Sequence, residues 1–162
     1  MRSRFRVVLL ATTGLFLAGS LGAAGYAAAH PDVSSTNTDV VRTRSSAKSL
    51  GGQDDYGKYY TVIAVTLPAG SWVLTADATA NDFGSGDIVT CRIYRGATVI
   101  ASASTIVSAS NGLAGLDPIG AYRSSVAESV SLRCAHEGLH DNITIDAGAV
   151  LWAHRSSSLN AA

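Results

Sequence analysis

An all-β fold, an antiparallel sandwich of about seven to eight short strands, is what this sequence predicts, and three observations predict it. The part of the chain from Tyr59 to His154 is rich in Ala, Ser, Thr, Val and Gly and poor in Lys and Glu, a balance that suits strands and turns better than surface helices. Strand-like runs recur between turn residues at intervals of about eight to twelve positions. Each cysteine stands on the apolar side of an alternating run, Cys91 with Val89 and Ile93, and Cys134 with Val130 and Leu132.

The first segment reads as a targeting signal. Arg2, Arg4 and Arg6 precede an apolar stretch from Val7 to Leu21, and Ala27-Ala28-Ala29 follows as a small-residue cleavage site, so residues 1–29 have the plan of a secretory signal peptide. Thr12, Thr13, Gly14, Gly19, Ser20 and Gly22 leave an apolar core shorter than the roughly 20 residues of a membrane span. No cysteine follows it to carry a lipid, and the separated arginines lack the paired form of the twin-arginine route. The expected product is secreted and extracellular, with no membrane attachment after cleavage. It retains 9 basic and 12 acidic residues, a net charge of −3, which argues against a basic face for nucleic acid.

Residues 30–56 are dominated by Ser, Thr, Asp, Asn and Gly and read as a flexible leader. The sandwich domain is expected over residues 57–156, with a disordered tail at 157–162. Tyr59 to Leu67 is a first strand, ended by the turn Pro68-Ala69-Gly70. Ser71 to Ala80 alternates most clearly, with Trp72, Leu74, Ala76, Ala78 and Ala80 on one side. Asp87 to Tyr94, the tight turn Arg95-Gly96 and Ala97 to Val107 follow, at the spacing of hairpins. Ser108 to Gly120 reads as a long irregular connection that crosses between sheets. Ala121 to Ala127 and Ser129 to Ala135 are two further strands around a turn at Glu128, and Ile143 to His154 is a last strand or strand pair with a bulge at Gly148.

An oxidising compartment favours pairing of Cys91 with Cys134, the only two cysteines. Closing a loop over 43 positions stabilises a fold by about 4 kcal/mol in the chain-entropy model.

Leu67-Pro68-Ala69-Gly70-Ser71-Trp72, Val89-Thr90-Cys91-Arg92-Ile93 and Val130-Ser131-Leu132-Arg133-Cys134 occur in an order that resembles small secreted β-sandwich proteins of Gram-positive soil bacteria, broadly of jelly-roll type. The resemblance spans about Tyr59 to His154. It implies the fold and the disulfide, and it carries no catalytic residue across. More distantly the arrangement is similar to tumour-necrosis-factor and complement C1q-like jelly rolls, which implies a homotrimer, although no diagnostic interface residue of those domains is present.

Among motifs that carry chemistry, the sharpest is His136-Glu137-Gly138-Leu139-His140, a match to H-E-x-x-H, in which two histidines bind zinc and the glutamate activates water. Asp146 falls where the longer pattern H-E-x-x-H-x-x-G-x-x-D places a third ligand, but Ile143 replaces its glycine and no methionine follows. The motif needs a helix to set both imidazoles on one face. Here it follows an alternating strand and contains Gly138, so a surface loop with incidental histidines is the preferred reading. No G-x-S-x-G elbow is present, since Gly84-Ser85-Gly86 and Ala69-Gly70-Ser71 lack its spacing. Asp54, Asp55, Asp82 and Asp87 are not organised as a calcium loop and read as solvated turn acids. Asn142-Ile143-Thr144 has the form of a glycosylation acceptor. Trp72 reads as core. Trp152, flanked by small residues, is core, an oligomer contact or a ligand platform. Tyr56, Tyr59 and Tyr60 are expected to cover the edge of the sandwich.

The sequence therefore points to a secreted, non-enzymatic β-sandwich with a binding or structural role toward an extracellular protein or glycan, without a cofactor. The alternative is a small zinc-dependent metallopeptidase built on His136, Glu137, His140 and Asp146.

Overall fold

Alternation with period two gives most of these segments one apolar face, and two sheets bury those faces against each other. The computed structural model describes residues 39–82, 84, 86–108, 112–138 and 143–157. The segment read as a signal peptide, His140, Asn142 and the tail beyond residue 157 lie outside the described residues. In chain order the strands are β1 (Val40–Thr43), β2 (Lys48–Ser49), β3 (Tyr60–Leu67), β4 (Gly70–Asn81), β5 (Asp87–Arg95), β6 (Thr98–Val107), β7 (Leu113–Leu116), β8 (Ile119–Ser124), β9 (Glu128–His136), β10 (Thr144–Ile145) and β11 (Val150–Ser156).

All pairings are antiparallel. In the first sheet β11 lies along one side of β4 and β8 along the other, with β1 outside β11. Beyond them β10 and β7 continue the two flanks of β4, and β2 pairs with β10. The second sheet has the order β3-β9-β5-β6. Counting β1 with β2, β7 with β8 and β10 with β11 as interrupted lanes leaves eight, ordered 1-8-3-6 in one sheet and 2-7-4-5 in the other. That is the strand order of a jelly roll.

Several segments differ from the sequence reading. Residues 40–43 and 48–49, expected in the leader, pair with β11 and β10, and Leu50 beside them is fully buried. Two short pieces suffice because each joins a ladder that already exists. β4 and β5 belong to opposite sheets and form no hairpin, whereas β5 and β6 pair as the hairpin spacing predicts. Their Gly96-Ala97 connection has φ +58° at Gly96, the left-handed backbone a two-residue hairpin loop requires. Within the expected irregular connection, β7 and the start of β8 continue along β4, separated by Asp117-Pro118. Pro118 offers no N–H, yet its carbonyl accepts from Ala76 N at 3.1 Å and keeps the lane attached. The turn placed at Glu128 lies earlier, at Ser125–Ala127. In place of the bulge expected at Gly148 there is a turn between β10 and β11, where Gly148 has φ +97° and its N–H donates to Arg44 O.

The core follows the alternation. Trp72, Leu74, Ala76, Ala78 and Ala80 of β4 are buried in one cluster with Val89, Cys91 and Ile93 of β5 and Val130, Leu132 and Cys134 of β9. The Trp72 indole N–H donates to Pro68 O at 3.0 Å, so the ring is anchored by the corner that carries the chain from β3 to β4. Cys91 and Cys134 form a disulfide, S–S 2.02 Å. They are directly registered neighbours on β5 and β9 and both are fully buried, so the bond staples two strands of one sheet.

Candidate functional site

Strand β9 runs through His136, so the first histidine of the H-E-x-x-H match sits on extended backbone and not on the helix that chemistry needs. On a strand, adjacent side chains take opposite faces. His136 continues the inward series Val130, Leu132, Cys134 and is fully buried, whereas Glu137 is exposed and accepts from Thr90 Oγ1 at 3.0 Å. The expected surface histidine is therefore an interior one. Its Nδ1 lies 3.2 Å from Asp87 Oδ2 and 3.1 Å from Gly138 O, and its Nε2 is buried with no hydrogen-bond partner. Asp146 follows β10 in the other sheet, where Asn81 Nδ2 approaches it at 3.5 Å. Among the described residues no group of three His, Cys, Asp or Glu side chains is placed to hold a metal ion.

Two acids read as solvated are also buried. Asp87 faces His136 and accepts from Ile88 N at 2.6 Å, while Asp82 accepts from Gly84 N at 2.7 Å. Gly138 is required beside this pair, because a Cβ there would sit 2.5 Å from Asp87 Oδ1. The signal available in the sequence was the period itself: His136 is the next inward position after Cys134.

The outer face of the first sheet holds Trp152. Leu151 and Ala153 point inward and are buried, which turns Trp152 outward at 46% exposure and removes the core alternative. Its registered neighbours are Val41 on β1 and Thr75 on β4, and Thr75 is registered with Ile119 on β8. A single row thus crosses all four lanes as Val41, Trp152, Thr75 and Ile119, with Val41 57% and Ile119 66% exposed. Beside it lies a shallow open cavity of about 420 Å³ lined by Asp39, Val73, Thr75, Trp152 and His154. His154 Nδ1 and Asp39 Oδ1, 2.6 Å apart, close one end of it.

The outer face of the second sheet is built differently. Arg92 and Arg133 are registered partners on β5 and β9, flanked in the same row by Ser102 and Thr61. The Arg92 guanidinium lies 4.6 Å from the Tyr59 ring centre, and that of Arg133 lies 4.5 Å from the Tyr94 ring. The two tyrosines meet edge to face at 6.0 Å. Burial raises the Tyr59 hydroxyl above its ordinary pKa, with the Arg92 charge opposing and the neighbouring Tyr94 and Glu137 adding. Tyr60 lies between Lys48 and Lys58, whose ammonium groups are 5.3 and 5.2 Å from its ring centre. Tyr56 is 62% exposed.

No family model and no curated protein matches the chain. Solved structures do match in fold. A chain from the structure of the infectious bursal disease virus Gx strain superposes with a TM-score of 0.50 at 11% identity, covering 76% of this chain and 35% of that one. The VP2 subviral particle of infectious bursal disease virus gives 0.49 at 14% identity, covering 85% and 37%. Dimeric latent PorU from Porphyromonas gingivalis gives 0.47 at 12%, covering 74% and 13%. The chain spans about a third of the length of the viral chains it matches. What this protein shares with the Gx-strain chain is the fold of a two-sheet, all-β sandwich.

Proposed function

We propose that this chain is an exported, non-enzymatic β-sandwich that binds an extracellular protein or glycan through the Trp152 face of its first sheet. The observation that carries this reading is the exposed row Val41, Trp152, Thr75 and Ile119. Isolated apolar side chains on a surface are ordinary, but exposed Val41, Trp152 and Ile119 align by register in one row through the partly buried Thr75, and such alignment supports a contact surface. A half-exposed tryptophan at its centre supplies a large contact area for little ordering entropy. Export rests on the plan of residues 1–29, and the resemblance to secreted proteins of Gram-positive soil bacteria agrees with it.

The test uses the protein recovered from the medium of an expressing bacterial host, presented to cell-wall glycans and extracted surface proteins. Tryptophan fluorescence reads the result, since Trp72 is buried and Trp152 reports on the face. The expected outcome is a protein starting at His30 whose fluorescence shifts on binding, with the binding weakened at least tenfold in Trp152→Ala. Retention inside the cell, or equal binding by Trp152→Ala and Ile119→Ser, overturns the reading. Light scattering of the free protein shows whether the partner is a second and third copy of the chain.

A further inference from the structure

We infer that the opposite face, the outer surface of the second sheet, is a separate site for anionic polysaccharide, with the Arg92 and Arg133 guanidinium groups as its oxyanion receptors. Like charges directly opposite each other on neighbouring strands repel, and Arg92 and Arg133 are such a pair. Carboxylates normally relieve a pair of this kind. Among the described residues neither guanidinium has a carboxylate within ion-pair distance: Arg95 takes Glu128, Lys58 takes Asp55, and the buried Asp87 faces His136. The nearby acid Glu137 accepts from Thr90 and makes no ion pair with either guanidinium.

Both arginines are instead placed by neutral groups. Arg133 donates from Nε to Ser131 Oγ at 2.9 Å and from Nη2 to Gly96 O at 3.1 Å, while its guanidinium carbon lies over the Tyr94 ring at 4.5 Å from the centre. Arg92 rests on Tyr59, and Tyr59 on Tyr94, so the four side chains hold one another in position. The rings lie beside the guanidinium groups, both side chains keep part of their surface in solvent, and the N–H edges of Arg92 and those Arg133 donors not used by Ser131 and Gly96 are the ones open to a ligand. Those edges match the paired oxygens of a carboxylate or phosphate. The two charges therefore stand partly buried, oriented and without an ion-pair partner among the described residues, on a chain whose net charge after loss of residues 1–29 is −3.

The surroundings select a polymer that carries hydroxyl groups as well as charge. The row lies on the outer face of the sheet, and Thr61 and Ser102, both exposed, flank it with their hydroxyls. An extended acidic glycan can lay successive anionic groups along such a face, where a small metabolite would find no enclosure. Carboxylate and phosphate sugars offer the same oxyanion geometry. This inference does not rest on the Trp152 reading, which concerns the other sheet.

The experiment is a titration of the protein by calorimetry with polygalacturonate, with poly(glycerol phosphate), and with neutral dextran. Binding to at least one anionic polymer and not to dextran is expected, weakening steeply with added salt. Arg92→Gln and Arg133→Gln should each weaken it about tenfold, the double variant should abolish it, and Arg92→Lys should restore only part. The two anionic arms separate carboxylate from phosphate preference. Thermal unfolding is the control that separates a receptor role from a structural one: removing either charge relieves the opposed pair, so the melting temperature should hold or rise. No binding to either anionic polymer, equal affinity for dextran, or wild-type affinity in the double Gln variant overturns the proposal. Trp152→Ala should leave this binding unchanged.

Discussion

Breaking the Cys91–Cys134 bond tests how far a covalent link inside one sheet supports this fold. The two residues lie 43 positions apart, so the closed loop contains β6, β7 and β8 and most of β5 and β9. In the chain-entropy model the bond removes about 13 cal/mol/K from the unfolded chain, or roughly 4 kcal/mol at room temperature. Cys91→Ala with Cys134→Ala also deletes two fully buried sulfurs, a further loss on the order of 1–2 kcal/mol. Domains of this size hold about 5–15 kcal/mol in total, so the double variant should fold but only marginally. Urea unfolding followed by circular dichroism gives the loss. Reduced wild-type protein isolates the loop-closure part, because both sulfurs are retained, and its steeper urea dependence should report the more open unfolded chain. A loss below about 1 kcal/mol in the reduced protein would refute the reasoning. It would mean that the ladder between β5 and β9 survives in the unfolded ensemble and already provides the constraint.

The two tryptophans should behave oppositely in stability: Trp72→Ala should cost about 3–5 kcal/mol in urea unfolding, because it empties the core and leaves Pro68 O unpaired, whereas exposed Trp152→Ala should stay within about 0.5 kcal/mol. Gly120→Ala should destabilise by about 1–3 kcal/mol on thermal unfolding, since its Cβ would lie 2.7 Å from Ile100 Cγ2 and 3.0 Å from Ala101 Cβ where β8 meets β6. Tyr122 is pushed up to about 12, first by burial and then by Glu128, with Arg95 opposing. A tyrosine in the unfolded chain ionises near about 10, so the native state keeps a proton that the unfolded state loses. Stability from this group is complete below that pH and is lost as pH rises through about 12, which ultraviolet phenolate absorbance and alkaline unfolding of Tyr122→Phe would follow.

Legibility in the sequence tracked the strength of the period-two pattern. Ser71 to Ala80 and the two cysteine runs were readable because each inward position is apolar and, Val73 aside, each neighbour between them is polar. β1, β2 and β7 were not readable, since at two to four residues they have too few positions to show a period. Their place is set by ladders that other strands present. His136 and Asp87 were misread for a different reason: buried polar groups are indistinguishable from solvated ones until their partners are known, and here the partners are each other. The outward turn of Trp152 depends on the register of β11, one residue in either direction reversing it.

The sequence by itself determined the all-β class, the apolar faces of β4, β5 and β9, and the only cysteine pairing open to the chain, because these depend on local alternation and composition. Tertiary structure alone decided the assignment of β4 and β5 to opposite sheets, the interior place of His136 and the alignment of Arg92 with Arg133. Those are relations between residues distant in the chain, created only when the ladders choose their partners and register.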